Sequence, residues 1–204
     1  MELRILSYPK HFNDECKIIT SLMERYDFIF HLRKPGASVE VYNQYLKCIP
    51  SYLHRRIVLH DAYELKDLYA LKGLHFSVKN RSQASDIICK GKKSTSCHSI
   101  EEVRQLDGVF EDIFLSPVFP GISKQGYKGD LNMEEVKQFL KQGRQSNIIA
   151  LGGIDQHKIK QLNDCFFDGI AVLGAVWTLN PGNAETIQEN IDQIVHNVCA
   201  CMTK

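Results

Sequence analysis

Two short apolar segments near the end of the chain each finish in glycine, and glycine at such a place suits the binding of an anion. The segments are IIALGGI (residues 148–154) and DGIAVLGA (residues 168–175). Because glycine has no Cβ, the backbone at Gly152, Gly153 and Gly174 can approach a ligand closely and turn its N–H groups toward a phosphate. Each glycine alone also fits an ordinary turn. Together, about one helix apart, they predict a phosphate-binding site.

Charged residues follow several other apolar segments. Arg33 and Lys34 end one of them, Asp61 ends the next, and Lys124 lies in a later loop rich in Gly, Lys and Ser. Several cations and one carboxylate near a phosphate site suit a substrate with more than one anionic group. The polar residues at comparable positions are His31, His60, Ser77, Asn80, Ser96, His98 and Ser123.

Each of these residues also has an ordinary structural explanation. Arg33 fits a surface ion pair, and Asp61 fits the N-cap of a following helix. His31 fits a core histidine with satisfied hydrogen bonds, and Lys124 fits a solvated lysine. The functional hypothesis therefore depends on a fold that places all of them at one end.

Zinc is a further hypothesis, because the predicted strand ends place His60 and His98 beside Asp61. The separation of His60 from His98 matches no compact zinc-ligand motif. The sequence therefore predicts no zinc site from these residues.

The elements that would position these residues are eight strands alternating with helices. Asn13, Ser99 with Glu102, and Asn132 with Glu135 predict helix N-termini. Helical patterns are also expected over residues 62–72, near residues 85–89 and between the last two strands. The predicted strands are residues 3–8, 27–33, 56–61, 74–78, 94–98, 112–119, 148–152 and 168–174.

Alternation of eight strands with helices predicts an α/β fold, a closed (β/α)8 TIM barrel forming a single compact domain over residues 1–204. The alternative is an open doubly wound sheet, but no G-x-G-x-x-G follows the first strand. In a barrel, functional residues gather at the carboxyl ends of the strands, and phosphate often binds after strands 7 and 8. Residues 120–130 form a loop long enough to act as a lid.

The amino-acid composition limits the kinds of partner that this protein is expected to bind. The 204 residues carry a net charge of +1, which gives no basic field for nucleic acid or for a membrane surface. Residues 1–10 lack the apolar core of a signal peptide, and the seven cysteines contain no C-x-x-C pair. We expect a cytoplasmic protein with a small-molecule substrate and no nucleic-acid or membrane partner, and the sequence leaves a homodimer open.

Six segments together resemble the thiamine phosphate synthase family and its relatives, the TenI-like thiazole tautomerases. The resemblance covers nearly the whole chain. The loop with Pro117 and Pro120 and the Gly-Gly-Ile element are the most specific parts. The segments are FIFHLRK, VLHD, STSCHS, SPVFPGISK, ALGGI and DGIAVLGAV.

The resemblance implies a transferase of thiamine biosynthesis, in which hydroxymethylpyrimidine diphosphate loses pyrophosphate and the nitrogen of a thiazole phosphate takes its place. It implies that Arg33 and Lys124 are catalytic and that Asp61 binds Mg²⁺. The residues it assigns to the diphosphate and pyrimidine are His31, Arg33, Lys34, His60, Ser96 and Lys124. Those it assigns to the thiazole phosphate are Gly121, Ile122, Ser123, Gly153, Leu173 and Gly174.

This chain departs from the family pattern at several positions, including Pro35, His31, Gly121 and Gly174, and two further departures bear directly on its activity. Asn80 stands where the family has a second magnesium carboxylate, which weakens the metal site unless substrate phosphates contribute. Pro117 stands where a tautomerase is expected to carry its catalytic histidine, so His98 or His31 would have to move the proton. Synthase activity is the first hypothesis, and a tautomerase and a non-catalytic binder of thiazole phosphate or thiamine phosphate are the alternatives.

Overall fold

Eight parallel strands close into a barrel in the computed structural model, which describes residues 1–120, 131–177 and 183–202. Each strand pairs with the next one in the chain, and the last pairs back onto the first. The predicted (β/α)8 barrel is therefore confirmed. The strands are β1 Glu2–Leu6, β2 Ile29–Leu32, β3 Ile57–Leu59, β4 Gly73–Phe76, β5 Lys92–Cys97, β6 Asp112–Leu115, β7 Asn147–Leu151 and β8 Gly169–Val172.

Among the described residues, five α-helices lie between or after these strands. The cap predictions are confirmed at two of them. Ser99 Oγ accepts from the N–H of Glu102, and Asn132 Oδ1 accepts from the N–H groups of Glu134 and Glu135. The prediction for Asn13 is wrong, because the first helix begins after Asp14, whose φ is 59°. Within the described part of the chain, no helix is long and apolar enough to cross a membrane. The helices are α1 Glu15–Arg25, α2 Val39–Cys48, α3 Ile100–Leu106, α4 Met133–Leu140 and α5 Ala184–Met202.

Several connections that were predicted as α-helices are single 3₁₀ turns. The helix expected over residues 62–72 is only Tyr63–Asp67, because Leu65 is buried while Leu68 is 71% exposed, so the apolar positions do not form one covered face. The helix expected near residues 85–89 is a turn at Arg81–Ala84, and Ile88 is exposed. The remaining 3₁₀ segments are Ser51–Arg56, before β3, and Ile159–Leu162, between β7 and β8.

The apolar core has two parts. The larger one fills the space between the sheet and the helices that surround it. The smaller one lies inside the barrel and consists of Leu6, Phe114, Ile149 and Ala171. Strand alternation produces this division, because successive side chains point to opposite faces of the sheet.

The amino end of the barrel interior is occupied by polar groups. The guanidinium of Arg4 on β1 bonds Asp112 on β6 at 2.8 Å, and both side chains are buried. Asn147 on β7 donates its amide to the other carboxylate oxygen of Asp112 at 2.8 Å. This network closes the amino end, so any ligand site inside the ring must open at the carboxyl end.

Candidate active site at the barrel mouth

The carboxyl ends of the strands surround one opening, which we call the mouth. Because all eight strands are parallel, residues that end different strands come together there. The site residues that the sequence predicted at strand ends, and that the structure describes, are all at this end. They are His31, Arg33, Lys34, His60, Asp61, Asn80, Ser96, Gly153, Leu173 and Gly174. The predicted residues Gly121, Ile122, Ser123 and Lys124 lie outside the described residues.

Three histidines from neighbouring strands meet inside the mouth. His31 is the penultimate residue of β2, His60 directly follows β3, and His75 lies on β4. His31 Nδ1 is 3.0 Å from His60 Nε2, and the rings of His60 and His75 stack with centroids 4.1 Å apart. All three side chains are buried. We call this group the histidine cluster.

Serines of β5 hold the third histidine. His75 Nδ1 lies 3.0 Å from Ser94 Oγ, and His75 Nε2 lies 2.9 Å from Ser96 Oγ. Since Ser94 Oγ donates its proton to the Leu74 carbonyl, it accepts a proton from His75 Nδ1. His75 Nε2 then carries the lone pair, which accepts the proton of Ser96 Oγ.

The histidine cluster is uncharged at neutral pH, because burial disfavours the imidazolium form. Burial lowers the pKa of His31 and His60 well below the usual value, and lowers that of His75 to about 3. The positive charges of Arg33 and Arg81 lower the pKa of His75 further. The mouth therefore offers three neutral nitrogen bases beside two cationic side chains.

Arg33 presents its guanidinium at the mouth while its backbone is fixed. Its N–H donates to Ser7 Oγ at 2.8 Å, and its carbonyl accepts from the same hydroxyl at 2.7 Å. The residue as a whole is exposed. The side chain can therefore meet an anionic ligand without a change in the chain around it.

Lys34 has a different role from the one predicted. Its ammonium group is buried and donates to Glu15 Oε1 at 2.5 Å, to the Tyr8 carbonyl at 2.7 Å and to the Lys10 carbonyl at 3.1 Å. An ammonium group has three N–H donors, so none is left for a diphosphate. Lys34 joins β2 to α1 and to the loop before it, and we leave it out of the proposed site.

Asp61 and Asn80, the two positions predicted for a metal, have different surroundings. Asp61 is exposed, and its Oδ2 accepts from Tyr42 at 3.3 Å. Asn80 Oδ1 already accepts from Ser77 at 2.8 Å, and Asn80 Nδ2 donates to Tyr63 at 2.8 Å. Of the two positions, only Asp61 offers a charged oxygen with room for a cation.

The turn after β7 needs glycine for its own geometry. Gly152 and Gly153 have φ values of +96° and +66°, in the region that side chains rarely adopt. A Cβ on Gly153 would lie 2.6 Å from the carbonyl oxygen of Phe119, because the loop after β6 packs against this turn. Close packing of two loops therefore explains part of the glycine signal that the sequence attributed to phosphate.

Gly174, in the turn after β8, has open space around it. No described atom lies within 4 Å of a Cβ placed there, and its φ is outside the positive range. The carbonyl of Leu173 accepts from Val176 and Trp177, which closes the turn. Among the described residues, the N–H groups of Gly153 and Gly174 have no hydrogen-bond partner. The two turns follow adjacent strands, as the sequence predicted.

Sequence reasoning missed two residues of the mouth. His75 alternates with the buried Leu74 and Phe76, so period-two alternation along β4 could have found it. Arg81 donates its Nε to Thr95 Oγ1 at 3.0 Å and an Nη to the carbonyl of Ser96. No local pattern predicts Arg81, because it reaches β5 from a 3₁₀ turn.

The closed parallel barrel, with charged and polar side chains collected at the carboxyl ends of its strands, defines a (β/α)8-barrel protein with one functional mouth. A family model described as thiamine monophosphate synthase matches residues 11–176. The chain belongs to that family. The resemblance found in the sequence is thereby confirmed.

Individual relatives agree with the family. The crystal structure of thiamine phosphate pyrophosphorylase from Bacteroides thetaiotaomicron has 30% identity and a TM-score of 0.82, over 98% of each chain. The thiamine-phosphate synthase of Bacillus cereus is 23% identical over 91% of this chain and 84% of its own length. That of Listeria welshimeri is 28% identical over 110 residues, which are 51% of this chain and 52% of the relative. The chain thus spans about half the length of the Listeria relative.

Proposed function

We propose that this protein is a transferase of thiamine biosynthesis that joins hydroxymethylpyrimidine diphosphate to thiazole phosphate. The bond between the pyrimidine methylene carbon and the diphosphate oxygen breaks, and a bond from that carbon to the thiazole nitrogen forms. The products are thiamine phosphate and pyrophosphate.

One arrangement carries the proposal. The turns at Gly153 and Gly174 follow adjacent strands, and their N–H groups, which have no partner within the described part of the chain, lie at the same mouth as Arg33 and Asp61. Unpaired backbone N–H groups in turns bind phosphate oxygens. A phosphate site on one side of the mouth and a cation on another match two substrates that each carry phosphate.

The described site residues divide into two groups, one for each substrate. On the diphosphate side, Arg33 binds the leaving group, and the neutral faces of His31 and His60 with Ser96 contact the pyrimidine. On the thiazole side, Gly153, Leu173 and Gly174 bind the single phosphate. The resemblance adds four residues outside the described part of the chain: Lys124 for the diphosphate, and Gly121, Ile122 and Ser123 for the thiazole phosphate.

Magnesium fits this site only together with a phosphate ligand. Asp61 supplies one carboxylate, whereas the amide oxygen of Asn80 is already bonded to Ser77. Mg²⁺ is commonly held by one or two carboxylates plus substrate phosphates. We therefore include Mg²⁺ as a cofactor that Asp61 holds when the diphosphate is present. When bound, it offsets the negative charge on the departing pyrophosphate.

Neither alternative function has an observation that favours it over the synthase. For a tautomerase, the position of the expected catalytic histidine is Pro117, and nearby His98 donates its Nδ1 proton to the Ser116 carbonyl at 2.8 Å. A non-catalytic binder would retain the glycine turns and lose metal-dependent turnover. Both alternatives are outcomes of the experiment that follows.

The deciding experiment incubates the full chain with both substrates and Mg²⁺ and measures pyrophosphate and thiamine phosphate together. Formation of both in equal amounts, abolished by a chelator that removes Mg²⁺, is expected. Binding of thiazole phosphate without either product would support the binder. Proton exchange on a thiazole carboxylate, without pyrophosphate release, would support the tautomerase.

Replacing the guanidinium at the mouth should separate the two substrates. Arg33→Ala is expected to raise the KM for the pyrimidine diphosphate about 10- to 100-fold, the value of one or two charge-assisted hydrogen bonds, and to leave the Kd for thiazole phosphate nearly unchanged. The backbone bonds to Ser7 remain in the variant. Arg55→Ala is the matched control, because Arg55 is exposed and precedes β3 at the opposite end of the barrel. Equal loss of both substrates in Arg33→Ala would refute its assigned role.

Substitutions in the two glycine turns should have the opposite selectivity. Gly174→Val is expected to keep the free energy of unfolding and to weaken thiazole phosphate, because the added side chain meets only the space proposed for the ligand. Gly153→Val should also weaken it and should lower stability by at least about 1–2 kcal/mol, the cost of a left-handed backbone with a side chain. Isothermal titration calorimetry measures the affinity for thiazole phosphate, and urea unfolding measures the stability. Unchanged thiazole phosphate binding in Gly174→Val would remove that turn from the site.

A further inference from the structure

The histidine cluster has more nitrogen ligands than the proposed transferase reaction uses. A reaction in which pyrophosphate leaves needs compensation of the negative charge and a surface without water. His31 and His60 supply only that surface. We infer that His31, His60 and His75 form a three-nitrogen binding site for a divalent transition metal, with zinc as the representative ion. This site differs from the magnesium position at Asp61 and stands whether or not the transferase proposal holds.

The distances between the nitrogens support this inference. One ring nitrogen from each of the three histidines lies within 4.8 Å of the other two. In a tetrahedral zinc site with bonds of about 2.0 Å, neighbouring nitrogens are about 3.3 Å apart. The separation of His31 Nδ1 from His60 Nε2 is 3.0 Å. The three rings therefore lie close enough together to share one ion.

Hydrogen bonding within the cluster is incomplete without a ligand. His31 is 2% exposed, and its Nε2 has no partner among the described residues. One proton between His31 Nδ1 and His60 Nε2 satisfies both nitrogens, one as donor and the other as acceptor, so His31 Nε2 is the atom left without a partner. A buried nitrogen without a partner is costly. A metal ion bound at His31 Nε2 takes the lone pair of that nitrogen and removes the cost.

The remaining histidine is prepared as a ligand by its neighbours. His75 Nδ1 donates to Ser94 Oγ, which fixes the ring, and the Nε2 lone pair accepts from Ser96 Oγ at 2.9 Å, a hydroxyl that has to turn away when Nε2 binds a metal. Metal-binding histidines typically donate their other N–H to an acceptor of this kind. A metal requires neutral imidazole, and burial already keeps the pKa of all three low.

The charges around the cluster predict the kind of fourth ligand. Arg33 and Arg81 lower the pKa of His75, and Arg4 and Lys72 lower that of His31. Asp112 acts in the opposite direction on His75. These cations also oppose a bare divalent ion, and three neutral ligands leave that ion with its full charge of two, so the site requires an anion such as hydroxide or phosphate at the open position. Three histidines with an open fourth position are typical of catalytic zinc sites.

Zinc titration of the wild-type chain tests this inference. The protein is treated with a chelator, freed of it, and titrated with Zn²⁺ in the presence of a chromogenic competitor. One tightly bound zinc per chain is expected. X-ray absorption of the zinc-loaded protein should show three imidazole nitrogens at about 2.0 Å. This measurement needs no variant, so it remains decisive even if a substitution in the cluster impairs folding.

Two variants identify the ligands, and two controls exclude surface binding. His31→Gln and His60→Asn should each lower zinc affinity at least about 10- to 100-fold, the cost typical of disturbing a metal site. His98→Ala changes an exposed histidine at the same mouth, and the double variant His157→Ala/His196→Ala removes two histidines that line one surface cleft. Neither control should change zinc affinity.

Three results would overturn the inference. They are no stoichiometric zinc in the wild-type chain, fewer than three imidazole ligands in the absorption spectrum, or zinc binding that the double surface variant abolishes. Catalysis is not measured in these experiments, so a failed transferase assay leaves them unaffected.

Discussion

Acidification below pH 6.5 should destabilise this protein steeply. The unfolded histidines take up protons with a pKa near 6.5, while the buried His31, His60 and His75 do not, since their folded pKa values are lowered, to about 3 for His75. The unfolded state therefore binds more protons as the pH falls, so stability is full above pH 6.5 and is lost toward the folded pKa values. Each proton contributes about 1.4 kcal/mol per pH unit, which for three histidines is about 4 kcal/mol per unit.

Urea unfolding between pH 8 and about pH 5, in the presence of a chelator, measures this slope. The expected loss is a large fraction of the roughly 5–15 kcal/mol that stabilises a typical domain. The double variant His31→Gln/His60→Asn removes two of the three protons and should reduce the slope to about one third. His157→Ala, at an exposed position, should leave it unchanged. A flat stability profile in this range would mean that the cluster is solvated and titrates normally.

Removing the buried ammonium group of Lys34 is the second large effect. Lys34→Met should lower the free energy of unfolding by about 3–5 kcal/mol, because Glu15 would be left buried and without its partner. The two side chains are each 2% exposed and lie 2.5 Å apart. Burial raises the pKa of Glu15 and lowers that of Lys34, so desolvation disfavours both charges, and the hydrogen bond between them acts in the opposite direction on each pKa.

A second substitution separates pairing from packing. Lys34→Met/Glu15→Leu should recover most of the loss, since an apolar pair of similar size often replaces a buried ion pair without cost. Lys17→Met is the matched control, because Lys17 bonds Asp14 at 2.6 Å on the surface and its loss should not measurably change unfolding. If the double variant kept the full loss of unfolding free energy, the loss would come from the hydrogen bonds of Lys34 to the Tyr8 and Lys10 carbonyls and not from its pairing with Glu15.

Single residues show where sequence patterns predict the site and where they fail. Arg33 and Asp61 were predicted at the mouth because strand ends can be read from apolar runs, and the structure has them there. Lys34 follows Arg33 directly, but neighbouring residues at a strand end point in different directions. One faces the mouth and the other meets α1. No local pattern contains Glu15, so the sequence could not distinguish the exposed cation from the paired one.

Connections between strands show the same limit for secondary structure. The apolar residues at 62–72 follow a helical spacing, but Leu68 is not covered by any neighbouring element, and only one 3₁₀ turn forms. Periodicity reports which residues could share a face. Whether another element buries that face depends on the rest of the fold.

The sequence by itself determined the barrel, its order of strands and the family, because alternation of short apolar runs with helical patterns allows few closed solutions. It also determined which residues end the strands. The tertiary structure alone decided that His31, His60 and His75 meet, because they belong to three strands that pair across the sheet, at separations along the chain that form no motif. It likewise decided that Gly153 is required by the approach of the Phe119 loop, since a contact between two loops leaves no trace in either loop's own sequence.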